Sequence, residues 1–77
     1  MPKGRADRVL DVRGLRCPQP AVMASRCLSA LGKGKTLLLI TDDASARKAV
    51  VRMCLRAGYR LLDVKDSQGL LCFLIQK

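Results

Sequence analysis

The chain has 77 residues and a formal net charge of +9, from 15 Lys and Arg against six Asp and Glu. This length suits one small domain, and 49% hydrophobic residues are enough for a packed core, which argues against disorder. No stretch of about 18 apolar residues is present, and the polar, basic N-terminus is unlike a secretory signal. We therefore expect a cytoplasmic protein with no membrane association.

The excess of positive charge predicts anionic partners, either acidic proteins or nucleic acid, although a role in solubility alone is the simpler interpretation. One Tyr, one Phe and no Trp leave no aromatic set on which bases could stack. The sequence also lacks a nucleic-acid-binding motif. Charge alone therefore does not make this an RNA-binding protein.

The first half of the chain predicts a strand, a helix and a second strand after a basic arm at residues 1–7. Weak alternation at 8–12 indicates a short strand. Apolar residues recur at three and four from 18 to about 31, as on an amphipathic helix, and Gly32 ends it. The predicted apolar face consists of Met23, Ala24, Cys27, Leu28, Ala30 and Leu31. The apolar run 36–41 then suits a buried strand.

The second half predicts another helix and a hairpin. Asp and Ser side chains at 42–45 are suited to cap a helix over 46–57, which has one apolar face. Two strands follow at 59–65 and 70–75, joined by a turn at 66–69.

The element order is therefore β-α-β-α-β-β. Each helix is apolar on one side only and needs a sheet face as its partner. We expect a single domain over residues 8–77, a two-layer α/β sandwich with two helices packed on one face of a mixed four-stranded sheet. The order of the strands does not follow from the pattern.

Four cysteines must be sorted by their surroundings. With no CxxC spacing and no His, we expect neither a metal site nor a cofactor, and the cytoplasm favours free thiols. Cys27 and Cys54 lie on the apolar helix faces and are interpreted as core residues. Cys72 lies in the last strand, where both faces are apolar, so its burial stays open.

Cys17 differs because it lies where the first helix should begin, in the stretch LRCPQP. Proline is favoured at the first helical position, so Pro18 predicts the helix start, and Pro20 falls in the same turn. The N–H groups of Gln19 and Ala21 could then point at the sulfur. The helix dipole would favour its thiolate.

Arg13 and Arg16, just upstream of Cys17, add positive charge that favours the same anion. We therefore predict a lowered pKa and a nucleophilic sulfur, which the same features would stabilise as a persulfide. A nucleophilic thiol without a histidine base or a resolving cysteine suits a group carrier better than a protease. The alternative is a buried cysteine whose neighbouring prolines only stiffen the chain.

Residues 10–28, LDVRGLRCPQPAVMASRCL, resemble the CPxP signature region of the TusA/SirA-like family of small sulfur-carrier proteins. TLLLITDD resembles the second strand and acidic turn of that family, and AGYRLLDVKDSQGLLCFLIQK resembles its closing hairpin. The resemblance covers nearly the whole chain. It implies the same β-α-β-α-β-β sandwich.

The resemblance also implies a sulfurtransferase-type carrier. Cys17 would accept sulfane sulfur as a persulfide from a cysteine desulfurase or a rhodanese-like donor, and pass it to a thiol of an acceptor protein. Routes in the family include tRNA thiolation, molybdenum cofactor assembly and sulfur oxidation. The match further implies that Pro18 and Pro20 shape the loop, and that Asp11 and Gly14 set the turn before it.

Two departures from the family pattern concern the second helix. The acidic turn has Ala44 where family members often have proline, so we expect a softer helix start. The helix is also unusually basic, which is typical of a solvated face but is open to interpretation as a docking surface. The candidate docking residues on both helices and near the cysteine are Arg13, Arg26, Lys48, Arg52 and Arg56.

Two other functions remain open at this stage. The chain could be a basic RNA- or regulator-binding module in which Cys17 is a redox sensor or a structural residue. The same thiolate could also handle selenium or another soft electrophile. We expect a monomer, and we keep direct nucleic-acid binding as the alternative to protein partners.

Overall fold

A computed structural model describes residues 6–16 and 19–77. The first five residues, which belong to the predicted arm, and the pair Cys17–Pro18 lie outside the described residues. The described elements, in chain order, are β1 (Arg8–Asp11), α1 (Gln19–Ala30), β2 (Thr36–Thr41), α2 (Ala46–Ala57), β3 (Arg60–Ser67) and β4 (Leu70–Gln76).

The four strands form one mixed sheet in the order β1-β2-β4-β3. β1 runs parallel to β2, whereas β4 is antiparallel to both of its neighbours. The last strand is therefore inserted between the second and the third. This architecture, with two helices and a mixed four-stranded sheet, confirms the predicted α/β class.

The core lies between one face of this sheet and the two helices. Alternate residues of the central strands point into it, because side chains along a strand change face at every residue. They are buried and pair across the strands as Leu37 with Ile75, Leu39 with Phe73, and Thr41 with Leu71. The helices contribute a second set of buried residues: Pro20, Ala21, Ala24 and Leu28 from α1, and Ala46, Val50 and Cys54 from α2.

The opposite face of the sheet is only partly covered. On the central strands this face carries Leu38, Ile40, Cys72 and Leu74, all half-buried. Cys72 is thus half-buried, which the apolar pattern of its strand could not predict. No helix in the described part of the chain is long and apolar enough to cross a membrane.

The hairpin between β3 and β4 is tighter than its predicted four-residue turn. The turn consists of Gln68 and Gly69, with φ of 51° and 82°, while Asp66 and Ser67 still pair with β4. Positive φ at both central residues is typical of the two-residue turns that match strand twist. Asp66 and Ser67 therefore belong to β3, because the pairing between β3 and β4 continues up to the two turn residues.

The start of α2 corrects the predicted capping. Ser45 occupies the cap position, but its side chain makes no capping hydrogen bond to the helix. Instead the Asp43 carboxylate accepts hydrogen bonds from the backbone N–H of Ser45 at 3.1 Å and from its hydroxyl at 2.8 Å. Asp42 is not a cap, because its side chain is directed to another loop.

The apolar face of α1 is rotated slightly from the predicted one. Met23 is 37% exposed and Ala30 is exposed, whereas Ala21 and Pro20 are buried.

The C-terminal end of α1 carries no basic residue in its last turn. Lys77, at the end of the sheet, supplies that charge, since its ammonium donates to the carbonyls of Ser29 at 3.0 Å and Leu31 at 2.8 Å.

Candidate functional site

The segment that leads to Cys17 leaves the sheet in a tight turn over residues 12–15. The N–H of Val12 donates to the carbonyl of Ile40 at 2.8 Å, which anchors the start of the turn on β2. The N–H of Leu15 then donates back to the carbonyl of Val12 at 3.2 Å. Gly14 has φ of 91°, a conformation that favours glycine at this place in a turn.

Asp11 fixes the first part of this turn. Its carboxylate accepts hydrogen bonds from the backbone N–H of Arg13 at 3.1 Å and from the Arg13 guanidinium, the shortest at 2.7 Å. The side-chain and backbone hydrogen bonds from Arg13 lower the pKa of Asp11, and the pairing raises that of Arg13. The two charges form an almost neutral unit, although both side chains are about half exposed.

Asp42 holds the second part of the turn. Its Oδ1 accepts a hydrogen bond from the backbone N–H of Gly14 at 3.0 Å. Asp42 follows β2 directly and begins the second crossover connection of the fold, β2–α2–β3. Its side chain therefore links this connection to the loop that precedes Cys17. The sequence does not predict this role of Asp42, because the paired residues are 28 positions apart and the acidic pair Asp42–Asp43 is typical of a helix cap.

The chain around the cysteine is held by Arg16 and Gln19. The N–H of Gln19 donates to the carbonyl of Arg16 at 2.8 Å, so these two residues lie close together on either side of positions 17 and 18. The Gln19 N–H is therefore already bonded to a carbonyl, whereas its predicted direction towards the sulfur stays a prediction. The predictions for Cys17 and Pro18 fall outside the described residues. The predicted influence of Arg16, Ala21 and Pro20 on the sulfur stays a prediction.

Exposed apolar side chains flank the cysteine in the sequence on both sides. Leu15 is 37% exposed, and Val22 and Met23 on α1 are 42% and 37% exposed. The cysteine therefore lies in the sequence between apolar residues that are available for contact with a partner.

The five candidate docking cations do not all lie together. Arg26, Arg52 and Arg56 line an open groove between α1 and α2, whereas Lys48 is exposed but does not line it. Arg13 is separate from this group and is paired with Asp11. The structure thus brings three of the five candidates together.

The remaining thiols differ in burial. Cys54 is buried, which raises its pKa and keeps it as a neutral thiol, and Cys27 is half-buried against the same core. Both fit the core interpretation. Cys72 lines a separate pocket on the other face of the sheet. Among the described residues, no group of three or more His, Cys, Asp or Glu could hold a metal ion.

Comparisons with known proteins agree with this geometry. The chain is 32% identical to the sulfur carrier protein TusA of Buchnera aphidicola subsp. Baizongia pistaciae over 71 residues, which cover 92% of this chain and 90% of the relative. It is also 32% identical to the sulfur carrier protein TusA of Pseudomonas entomophila, over 92% of this chain and 89% of the relative.

Among solved structures, the fold matches a SirA-like protein from Desulfitobacterium hafniense. The TM-score is 0.80 at 24% identity, over 90% of this chain and 95% of the other, so this likeness concerns the fold. A protein-family model described as "Sulfurtransferase TusA" matches residues 8–77. The chain therefore belongs to the TusA family of sulfur-carrier sulfurtransferases.

Proposed function

We propose that this protein carries sulfane sulfur as a persulfide on Cys17. The Cys17 thiolate attacks the terminal sulfur of a donor persulfide, forms a new S–S bond, and releases the donor cysteine as a thiolate as the old S–S bond breaks. No external oxidant is needed, because the sulfane sulfur keeps its oxidation state. Attack by an acceptor thiolate on the Cys17 persulfide reverses the roles and unloads the carrier.

The observation that carries this proposal is the position of Cys17 in the chain. Only Pro18 separates it from the first described residue of α1, and the N-terminal end of a helix favours an anion. The Gln19–Arg16 hydrogen bond and the turn at Gly14 support the same role, because they hold the flanking chain in a defined shape. Pro18, Pro20 and Gln19 would then shape the site, and Arg16 would add positive charge beside it.

The partners that fit this chemistry are a donor and an acceptor protein. We take the donor to be a cysteine desulfurase or a rhodanese-like protein, and the acceptor to be a protein thiol in a sulfur relay such as tRNA thiolation, molybdenum cofactor assembly or sulfur oxidation. A reducing cytoplasm would keep Cys27, Cys54 and Cys72 as thiols, which is how the structure has them. We take the carrier to act as a monomer.

Intact-mass spectrometry tests the proposal directly. The protein is incubated with a cysteine desulfurase and cysteine, and in parallel with a rhodanese and thiosulfate. We expect the wild type to gain one sulfur atom and Cys17→Ser to gain none. Cys72→Ser is the matched control, because that thiol is also partly accessible, and it should load like the wild type.

Two outcomes would contradict the proposal. The first is an absence of loading from both donors. The second is equal loading of wild type and Cys17→Ser, which would place the sulfur on another thiol. In either case the binding-module interpretation would be tested next, by asking whether salt-dependent RNA binding survives Cys17→Ser.

A further inference from the structure

The negative charges of this protein all lie outside its helical layer. All six acidic residues lie on strands or in loops: Asp7, Asp11, Asp42, Asp43, Asp63 and Asp66. The two helices contain no acidic residue, yet they carry five cations: Arg26, Arg47, Lys48, Arg52 and Arg56. The helical layer is thus a purely cationic surface, and it will attract anionic partners over a distance of about 8–10 Å at physiological salt.

A groove runs along this cationic layer between α1 and α2. It consists of two adjoining depressions of about 490 Å³ and 420 Å³, both lined by Ser25 and Met53. Its lining combines small or apolar side chains with three arginines. The apolar lining comprises Ala21, Val22, Ala49, Met53 and Ala57, and the arginines are Arg26, Arg52 and Arg56.

The groove arginines have no anionic partner within the described part of the chain. There, the only ion pair is the one between Arg13 and Asp11. Arg52 and Arg56 are one helical turn apart, so their positions along the α2 axis differ by about 6 Å. Carboxylates one turn apart on a second helix have the same spacing.

We propose that this groove binds an acidic, amphipathic helical segment of a partner protein. The apolar side chains of the segment would pack on Met53 and the alanines, and its carboxylates would pair with Arg52, Arg56 and Arg26. The lining from Ala49 to Ala57 covers about 12 Å of α2, which matches two turns of a docked helix. A nucleic acid fits less well, because much of the lining is apolar and none of the lining residues is aromatic.

One end of the groove lies at the first turns of α1, which follow the cysteine in the sequence. Ala21 and Val22, in the first turns of α1, line its near end. A segment bound there would bring its own protein close to the start of α1. The biological meaning of the groove therefore rests on the proposed sulfur-carrier function, in which a partner must reach Cys17.

The test uses a labelled synthetic peptide with Glu pairs at i and i+4 beside a Leu stripe, and a matched peptide with Gln in place of Glu. Binding to the Cys17→Ser protein is measured by fluorescence anisotropy, and the contact surface is mapped by backbone amide NMR shifts. Because Cys17 is absent, the result is independent of sulfur loading, which the mass measurement reports separately. We expect the Glu peptide to bind and to shift the amides of Ala49, Met53 and Ala57.

Two variants of equal net charge separate the contribution of the groove arginines from that of the overall positive charge of the protein. Arg52→Glu/Arg56→Glu and Arg47→Glu/Lys48→Glu each replace two cations by two anions, so both lower the net charge from +9 to +5. We expect the first pair to weaken binding by about tenfold or more, and the second by a much smaller factor. Circular dichroism verifies that each variant is folded, and Arg52→Gln/Arg56→Gln provides the same comparison with a smaller change of charge.

Four outcomes would overturn the proposal. Equal losses for both charge-reversed variants would mean that only the general field attracts the peptide. Amide shifts confined to another surface, or no preference for Glu over Gln, would remove the groove or its arginines from the interaction. Tighter binding of a uridine oligonucleotide than of the Glu peptide would favour the nucleic-acid interpretation.

Discussion

The carboxylate of Asp42 receives a hydrogen bond from the backbone N–H of Gly14, with 3.0 Å between the two heavy atoms. Gly14 belongs to the turn that leads from β1 to Cys17, and Asp42 belongs to the segment between β2 and α2. The bond therefore joins the two crossover connections of the fold, β1–α1–β2 and β2–α2–β3, at a point three residues before the cysteine in the sequence. It makes the shape of the approach to Cys17 dependent on a side chain far away in the sequence.

Removal of the Asp42 carboxylate should slow sulfur loading more than it destabilises the fold. We expect Asp42→Ala to lose about 1 kcal/mol of loop stabilisation at most, because the bond is exposed, and to load sulfur about fivefold more slowly. Asp42→Asn keeps an acceptor oxygen and should retain more of the rate. The measurement is the loading rate by mass spectrometry, with the unfolding temperature recorded for each variant.

Asp66→Ala is the control for that experiment, since Asp66 is also exposed but lies on the edge strand β3, which β4 separates from β2. It should load at the wild-type rate. If Asp42→Ala loaded as fast as Asp66→Ala, the link between the two crossovers would have no part in presenting the thiol.

Gly14→Ala should destabilise the protein without any steric clash. A Cβ on Gly14 would meet no atom within 4 Å, so the cost comes only from φ of 91°, and we expect about 1–2 kcal/mol in urea unfolding. Gly32→Ala is the matched control, because φ of Gly32 is not positive and its Cβ would make an ordinary contact at 3.6 Å with Lys35. Equal unfolding free energies for the two variants would contradict the role of backbone conformation here.

The sequence was sufficient to predict elements with a strong local pattern. The predicted bounds of β2 and α2 agree with the structure because continuous apolar runs and amphipathic periodicity depend only on neighbouring residues. The insertion of β4 between β2 and β3 was not predicted, although the composition of the hairpin strands indicates it. β4 is apolar except for its last residue, whereas β3 contains Arg60, Asp63, Lys65 and Asp66, as is typical of an edge strand.

The candidate site was predictable in its residue types but not in its hydrogen bonds. Asp11 and Gly14 could be placed in the turn, and Arg26, Arg52 and Arg56 could be selected as exposed cations. The bond from Gly14 to Asp42 depends on how two crossovers meet in space. The bond from Gln19 to Arg16 depends on a local turn, and neither has a sequence signal.

Acid should destabilise the fold partly through Asp7 and Asp11. The pKa of Asp7 is lowered chiefly by the backbone N–H of Thr36, and that of Asp11 by the Arg13 side chain. Both folded-state values lie below the ordinary one, so this stabilisation is complete above a pH of about 4 and is lost as the pH falls through the folded pKa values. We expect the urea midpoint to fall on acidification, less steeply in Asp7→Asn/Asp11→Asn.

High salt should weaken the Asp11 contribution, because its ion pair with Arg13 is exposed. Asp63→Asn/Asp66→Asn serves as the control with an equal change of charge, since both of these carboxylates are exposed on β3. An acid slope that is the same in Asp7→Asn/Asp11→Asn as in Asp63→Asn/Asp66→Asn would show that Asp7 and Asp11 do not account for the acid sensitivity.

The four thiols should react with iodoacetamide in a fixed order. Cys54 should be the slowest, because it is buried and its raised pKa disfavours the thiolate. Cys17 should be the fastest if the start of α1 activates it, with Cys27 and Cys72 between them. Peptide mass spectrometry of a timed alkylation gives the order, and modification of Cys54 before Cys17 would contradict it.

The neutral pair of Asp11 and Arg13 leads to a test of the charge near Cys17. Removal of the Arg13 cation leaves the Asp11 carboxylate unpaired, so Arg13→Gln should disfavour the Cys17 thiolate and shift the pH profile of its alkylation upward. Asp11→Asn/Arg13→Gln removes both charges, which lie 2.7 Å apart and largely cancel, so the profile should return towards that of the wild type. Arg16→Gln should shift it upward as well, because Arg16 has no carboxylate partner in the described part of the chain to cancel its charge. If the double variant stayed as far from the wild type as Arg13→Gln alone, Arg13 would act on the thiol by shaping the turn and not by its charge.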